Sequence, residues 1–286
     1  MIFLNFTAKT QRAQRFFSAV LCFSLCSLRV IFLPFSASAQ QQDWDFYFTN
    51  IDEKPASIGL NLALHDTAPL PDKAYCFWII LPFEQSDSLG FPLEKENEAL
   101  NKLEDDLEFF LQTKSQIIYA GRTTSEGKRQ LYFYSKSIDS VDIFIEDFFK
   151  PHSEYNYKLG QRYDAEWEIY FGFLYPAPLD LQLIYNHRIV EALAESGDNA
   201  TLPHHIDHWL NFQKKKDRTD FIKALEGKNY AIEKIDADKS HSLTLQISEE
   251  NKTDLETIDK SVIQLFELAE KFKGIYGGWE TSLRTE

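Results

Sequence analysis

A cluster of histidines is the first candidate in this sequence for a site that does chemistry. His204, His205, Asp207 and His208 are close neighbours, and imidazole with carboxylate is a typical ligand set for zinc. The surrounding residues 202–212 alternate apolar and polar, which predicts a strand. On a strand, His204 and His208 point to one face, and His205 and Asp207 point to the other. Because two ligands on a face are too few for a zinc site, the pattern favours ordinary strand histidines and predicts no metal.

Carboxylates along a predicted helix are the second candidate. The apolar spacing predicts a helix over 93–113 that contains Glu104, Asp105, Asp106 and Glu108. We expect the apolar stripe of this helix to face inward and these four carboxylates to face solvent. A general acid–base pair needs a cleft that shifts a pKa, and a solvated helix face does not provide one.

The common motifs of nucleophilic catalysis and phosphate binding are absent from the sequence. It contains no Gly-x-Ser-x-Gly elbow, no Walker glycine-lysine loop and no Gly-x-Gly-x-x-Gly turn. Gly277-Gly278 is too short to cradle a phosphate and is more typical of a bulge in a strand. Cys76 lies in the apolar run 75–80, which favours a buried core thiol over a nucleophile. The sequence therefore predicts no catalytic residue, no cofactor and no enzymatic activity.

An aromatic residue on the outward side of the predicted strand indicates a contact surface. If the apolar alternate positions face helices, Trp209 lies on the open face of a sheet, and the register of the last strand decides whether Trp279 joins it. Such aromatics stack bases in RNA-recognition modules, pack against a neighbouring domain, or dock a partner protein, and all three alternatives stay open. The predicted partner-binding candidates are Trp209, His205, Asp207, Trp279 and Tyr276.

Two domains of α+β class must position these residues. The second, at 178–286, begins with a helix and continues as a βαββαβ unit, with strands predicted at 202–212, 230–235, 241–247 and 274–280 and a second helix at 253–273. The first, at 40–177, has an N-terminal hairpin (43–50 and 56–64) and then a second βαββαβ order, with strands at 75–81, 117–124, 129–135 and 155–159 and helices at 93–113 and 138–149. We predict two tandem ferredoxin-like domains with antiparallel sheets.

The N-terminal 39 residues leave the compartment open. A basic stretch, an apolar run over 16–28 and Ala37-Ser38-Ala39 have the form of a signal peptide cleaved after Ala39, which predicts a secreted or periplasmic protein. The alternative is a mis-assigned start codon and a cytoplasmic protein that begins near Trp44. Arg29 splits the apolar stretch into pieces too short to cross a bilayer, so no membrane span is expected.

The charge of the chain argues against nucleic acid as a direct ligand. The net charge is −14, and residues 1–39 hold four basic and no acidic residues, so the remainder carries −18. An acidic surface of this kind repels phosphate backbones. It fits a basic protein partner, or simply keeps the protein in solution.

Four pieces of the second domain follow one another in order over roughly 187–282. They are the Leu-x-x-Ser-Gly-Asp helix end at 193–198, His204-His205, Asn229-Tyr230, and Tyr276-x-Gly278-Trp279. Together they resemble the family called regulator of ribonuclease E activity B. Members of that family are acidic, ferredoxin-like bacterial modules that bind an endoribonuclease and restrain it. The resemblance implies a non-catalytic protein-interaction module with an endoribonuclease as its partner; an exported envelope protein that reuses this scaffold for binding or structure is the alternative.

The first domain contains four pieces of its own: Trp44-x-x-Tyr47, Gly90-Phe91-Pro92, Gly121-Arg122 and Asp164-x-x-Trp167-x-x-Tyr170. By these pieces it is similar to an uncharacterised domain that is often found ahead of such modules. This similarity implies a fold and no chemistry.

Overall fold

A computed structural model describes residues 42–237 and 243–285 of the chain. Contacts between backbone positions divide it into two compact units, one ending at Ala177 and the other beginning at Pro178. The predicted signal peptide at 1–39 lies outside the described residues. Within them, no helix is both long and apolar enough to cross a membrane.

The first unit contains a six-stranded antiparallel sheet with the strand order β1-β2-β4-β5-β3-β6. Its strands are β1 (Trp44–Ile51), β2 (Lys54–Asn61), β3 (Tyr75–Pro82), β4 (Ile118–Ser125), β5 (Lys128–Ser135) and β6 (Lys158–Tyr163). Its helices are α1 (Glu94–Lys114) and α2 (Val141–Phe149), with a 3₁₀ turn at Leu62–Asp66 and a π-helical turn at Tyr170–Leu174.

The core of the first unit lies between α1, α2 and one face of the sheet. Leu100, Leu103, Leu107 and Leu111 of α1 are buried, as the apolar stripe predicted. They share one cluster with central strand residues such as Phe77, whose ring stacks on that of Phe133 with the centroids 5.2 Å apart. The helix is therefore fixed to the middle of the sheet by aliphatic and aromatic burial.

Two predicted element ends in this unit were wrong. The strand predicted at 56–64 stops at Asn61, because the Asn61 side chain accepts hydrogen bonds from the backbone N–H groups of Asp43 and Ala63 and starts the 3₁₀ turn. The strand predicted at 155–159 is β6, and it is displaced toward the C-terminus by its pairing with β3, in which Tyr75 lies opposite Tyr163. The end of β2 is thus set by a side chain that caps the next turn, and the position of β6 by a strand distant in sequence.

The Asp164-x-x-Trp167-x-x-Tyr170 piece closes the first unit. The Asp164 carboxylate accepts hydrogen bonds from the Tyr134 hydroxyl at 2.6 Å and from two backbone N–H groups of the following turn. The Trp167 ring is fully buried and stacks on Tyr134 with the centroids 3.8 Å apart. The Tyr170 hydroxyl donates to the carbonyl of Asn61 at 2.8 Å. These residues hold the end of the unit against its sheet and are structural.

The second unit begins with α3 (Pro178–Glu195) and contains a four-stranded antiparallel sheet ordered β10-β7-β9-β8. Its strands are β7 (His204–Phe212), β8 (Ala231–Ala237), β9 (Leu243–Asn251) and β10 (Gly274–Thr281), and its other helices are α4 (Lys215–Ala224) and α5 (Leu255–Lys271). The chain leaves α4 through Gly227, whose φ of 78° is the left-handed conformation expected after a helix end.

The three helices cover one face of this sheet. Ile206, Leu210 and Phe212 of β7 are buried in a single cluster with apolar residues of α3, α4 and α5, as the alternation of β7 predicted. The last strand carries the expected bulge, because its pairing with β7 skips Gly277, and Gly278 has a φ of 113°. The α+β class with two antiparallel sheets is confirmed.

Candidate functional site

His204, on the inner face of β7, is part of the fold. Its side chain is fully buried, with Nε2 2.9 Å from Asp198 Oδ1 and Nδ1 2.9 Å from the Leu202 carbonyl oxygen. The same carboxylate accepts hydrogen bonds from the Thr253 hydroxyl and the backbone N–H of Arg284. Asp198 thus ties the loop after α3 to the start of β7, the start of α5 and the C-terminal segment. The two sequence pieces around Gly197-Asp198 and His204-His205 meet here.

His208, on the same face, joins a second buried polar group. Its Nδ1 lies 2.8 Å from the Tyr276 hydroxyl, and its Nε2 lies 3.2 Å from Glu249 Oε1. Burial raises the pKa of Glu249, but hydrogen bonds led by that from His208 and that from Ser261 outweigh it and hold the pKa below its ordinary value. Within the described ranges, no group of three or more His, Cys, Asp or Glu side chains is arranged to hold a metal ion.

Trp279 and Tyr276 also lie on the inner face. Trp279 pairs with His208 across the strands and is 3% exposed, and Tyr276 is 4% exposed. The indole N–H of Trp279 donates to Asn186 Oδ1 at 2.8 Å, and the Asn186 amide donates to Asp259 at 2.8 Å. The register therefore separates Trp279 from Trp209. As folded, these two predicted partner-binding residues present almost no surface.

The other three candidates lie together on the opposite side of the sheet. His205, Asp207 and Trp209 alternate with the buried residues of β7, and the side chains of His205 and Asp207 are 53% and 20% exposed. Trp209 is partly exposed, although its indole nitrogen is covered and has no hydrogen-bond partner of acceptable geometry among the described residues. Glu280 is its acidic neighbour: burial raises the pKa of that carboxyl, and the indole opposes part of the rise.

Two further residues extend this surface and were missed from the sequence. Glu280 lies directly opposite Asp207, and Ile275, which is 64% exposed, lies opposite Asn211. Simple alternation would put positions 275 and 280 on different faces, and the bulge at Gly277 brings them to the same one. Including a bulge at Gly277 when the faces of the last strand are assigned would have predicted both residues from the sequence. We call the surface formed by His205, Asp207, Trp209, Ile275 and Glu280 the outer face.

The outer face is acidic around its aromatic centre. Burial raises the pKa of Glu280, and the neighbouring Asp207 raises it further. Asp207 accepts a hydrogen bond from Gln246 at 2.9 Å, and His205 Nδ1 lies 3.0 Å from Glu250 Oε1. Two carboxyl groups side by side on a sheet repel each other, and a cation placed over them relieves that repulsion.

Glu104 corrects a prediction about α1. It does not face solvent: it is 4% exposed, and its carboxylate accepts hydrogen bonds from the Tyr119 hydroxyl at 2.8 Å, Arg122 Nη1 at 2.6 Å and Arg129 Nη1 at 3.1 Å. Two arginines on β4 and β5 neutralise it, which is why a carboxylate is tolerated beside the apolar stripe. Asp105 and Asp106 are exposed as predicted, whereas Glu108 is partly buried.

Cys76 is fully buried on β3. Burial, and then the nearby Asp164, raises the pKa of its thiol to about 12. The thiolate needed for nucleophilic attack is therefore scarce near neutral pH.

Comparison with known families gives two matches along the chain. Residues 42–175 match the model of a family described as a family of unknown function (DUF695). Residues 183–281 match the model of the family described as regulator of ribonuclease activity B. Both resemblances inferred from the sequence are confirmed, in the predicted order. No curated protein matches the chain. The chain thus carries a stretch that matches a family of unknown function, followed by a stretch that matches a ribonuclease-regulator family.

Proposed function

We propose that the second domain binds an RNA-degrading endoribonuclease of the ribonuclease E type and restrains it, without catalysis of its own. The observation that carries this proposal is the match of 183–281 to a family described as a regulator of ribonuclease activity. The polar groups that most resemble catalytic machinery, His208 with Glu249 and His204 with Asp198, are enclosed in the core and hold secondary structure together.

We interpret both units as ferredoxin-like. In the second, the chain order is β7-α4-β8-β9-α5-β10 and the sheet order is β10-β7-β9-β8, so the first and third strands are central. In the first, β3-α1-β4-β5-α2-β6 gives the sheet order β4-β5-β3-β6, which is the same arrangement. Helices on one face of such a sheet leave the other face for contacts.

The outer face has the chemistry of a protein contact. Trp209 and Ile275 supply partly exposed apolar surface, and aromatic residues are enriched among the residues that dominate binding energy. Asp207 and Glu280 lie beside them and favour a partner segment that carries lysine or arginine. The same carboxyl groups disfavour RNA, because they repel phosphates next to the ring on which a base would stack.

Binding and inhibition by the full chain test the proposal. Calorimetry with a purified ribonuclease E-type enzyme, at low and moderate salt, measures affinity, and cleavage of a fluorescent single-stranded RNA measures restraint. We expect Trp209→Ala and Ile275→Ala each to weaken binding by about tenfold, as for central interface residues.

Ile235→Ala is the matched control. Ile235 is 51% exposed and lies opposite the inward-facing Leu245, so it belongs to the other side of the sheet. The substitution therefore removes the same kind of side chain as Ile275→Ala, but away from the outer face. We expect it to leave affinity within about twofold. The absence of binding at either salt concentration refutes the partner. Equal losses in Ile235→Ala and Ile275→Ala refute the outer face as the contact.

A further inference from the structure

The first unit contains a cavity of about 390 Å³. The function proposed for the second domain gives this cavity no role. Its floor is a row of three residues on neighbouring strands: Phe46 on β1 pairs with Gly59 on β2, and Gly59 pairs with Arg122 on β4. Gly59 has no side chain, and a Cβ there would lie 3.4 Å from Arg122 Nε. The Arg122 side chain therefore extends over the position where Gly59 lacks a Cβ, on the same face of the sheet as Phe46.

Aromatic rings form one wall of the cavity. Trp44 is partly exposed and packs on the buried Tyr119 with the ring centroids 4.9 Å apart. Phe46, two residues along β1, is 48% exposed. Trp44 and Arg122 both belong to sequence pieces by which this domain resembles its family. The face of an aromatic ring attracts cations through its quadrupole.

Carboxyl groups of α1 form the opposite wall. Glu104 forms ion pairs with Arg122 at 2.6 Å and with Arg129 at 3.1 Å. The Arg122 guanidinium at the cavity floor is therefore already paired with a carboxylate. Asp105 and Glu108 also line the cavity. Burial raises the pKa of Glu108, and the charges of Glu104 and then Asp105 raise it further. The space thus lies between the aromatic rings and the carboxyl groups of Asp105 and Glu108, with the Arg122 guanidinium at its floor paired to Glu104.

We propose that this cavity binds an organic cation, an alkylammonium or guanidinium group, between the rings of Trp44 and Phe46 and the carboxyl groups of Asp105 and Glu108. Anionic ligands are repelled by the same carboxyl groups. A neutral ligand of the same shape gains the ring contact alone. Aromatic rings combined with carboxylates are the usual recognition elements for ammonium groups.

Indole resonances give a local test in the intact chain. The protein has five tryptophans, so a ¹⁵N spectrum shows five side-chain N–H signals, and a Trp44→Phe variant assigns that of Trp44. We expect n-butylammonium to shift the Trp44 signal saturably with one-to-one stoichiometry. We expect n-butanol, its neutral isostere, to produce no saturable shift at the same concentrations.

Charge variants on α1 separate a built site from general attraction to an acidic protein. Glu108→Gln and Asp105→Asn each remove a lining carboxylate and are expected to weaken n-butylammonium binding by about tenfold. Asp106→Asn removes the same charge one position away, outside the lining, and is expected to change affinity by less than about twofold. Asp105 and Asp106 are both exposed, so neither change threatens folding.

The source of the cation is decided by a second probe, the capped tripeptide acetyl-Gly-Lys-Gly-amide. Tighter binding of the peptide than of n-butylammonium identifies a lysine side chain of a protein, and the reverse identifies a free amine; both results support the cation site. The proposal is overturned if neither probe saturates, if n-butanol binds equally well, or if Asp106→Asn weakens binding as much as Glu108→Gln.

Discussion

Replacing Glu104 by glutamine tests whether the charges buried under the first sheet stabilise it. The carboxylate is the shared acceptor of Arg122, Arg129 and the Tyr119 hydroxyl. The glutamine amide keeps one acceptor oxygen and the volume, but it brings an N–H₂ group toward two guanidinium groups. The two arginines then share a buried site with no countercharge.

The magnitude follows from the exposure of the two arginines. Breaking a buried ion pair by removing one partner costs about 3–5 kcal/mol, because the remaining charge is left without compensation. The Arg122 side chain is 33% exposed and recovers part of its hydration. The Arg129 side chain is 2% exposed, and its other hydrogen-bond partners among the described residues are neutral: Asn97, Asn101 and Thr124. We therefore expect the lower end of the range, about 3 kcal/mol, and a fall in Tm of about 10 °C.

Urea unfolding and differential scanning calorimetry of the full chain measure this loss. Asp106→Asn, on the exposed side of the same helix, removes the same charge and is expected to change the free energy of unfolding by less than about 0.5 kcal/mol. A Glu104→Met/Arg129→Met double variant removes the carboxylate and its most buried partner together and is expected to be more stable than Glu104→Gln. A loss below about 1 kcal/mol in Glu104→Gln refutes the reasoning, because that is the value of a surface pair.

Three other substitutions are each expected to change stability in a defined direction. Burial raises the pKa of Asp164, but hydrogen bonds led by that from Tyr134 outweigh it and hold the pKa below its ordinary value. The stabilisation is therefore present above about pH 4 and is lost as pH falls through the lowered pKa. Asp164→Asn is expected to cost about 2 kcal/mol at pH 7 in urea unfolding, and progressively less as pH falls below about 4. Asp259 shows the opposite pH dependence, because burial raises the pKa of its carboxyl group. Its contribution to the free energy of unfolding is full below about pH 4 and is lost as pH rises through the raised pKa. Asp259→Asn is therefore expected to raise Tm at pH 7 and not at pH 3. Gly274→Ala places a Cβ in steric conflict with the buried Phe212 ring. Thermal melts are expected to show that the free energy of unfolding falls by about 1–3 kcal/mol. An unchanged Tm would show that the ring moves aside without cost.

Periodicity in the sequence predicted the elements well where burial on one face decides the pattern. The alternation of β7 and the stripe of α1 placed Ile206, Leu210 and Leu107 in the core, where the structure has them. Element ends were less accurate. Asn61 ends β2 through a side chain that caps the next turn, and β6 is positioned by β3, which lies much earlier in the chain.

The candidate surface was only half visible in the sequence, for a geometrical reason. Period two assigns His205, Asp207 and Trp209 to one face without knowledge of the neighbouring strand. Assigning Ile275 and Glu280 requires the bulge at Gly277, which reverses the alternation in the middle of β10. Glu104 was misplaced for a similar reason, because its two arginines come from strands that a helical pattern does not show.

Stability and partner binding are expected to depend on different residues of the second domain. The pieces that carry the family resemblance lie largely in the core: His204 is fully buried on Asp198, and Trp279 is 3% exposed. His204→Ala leaves the Asp198 carboxylate buried with one partner fewer and is expected to lower the free energy of unfolding by about 3 kcal/mol, while the remaining folded protein binds its partner with unchanged affinity. Ile275→Ala is expected to leave Tm unchanged and to weaken binding. Thermal melts paired with calorimetric titrations well below Tm measure both quantities. If folded His204→Ala binds the partner as weakly as Ile275→Ala does, recognition depends on the buried residues that carry the family resemblance. The outer face is then not the surface that selects the partner.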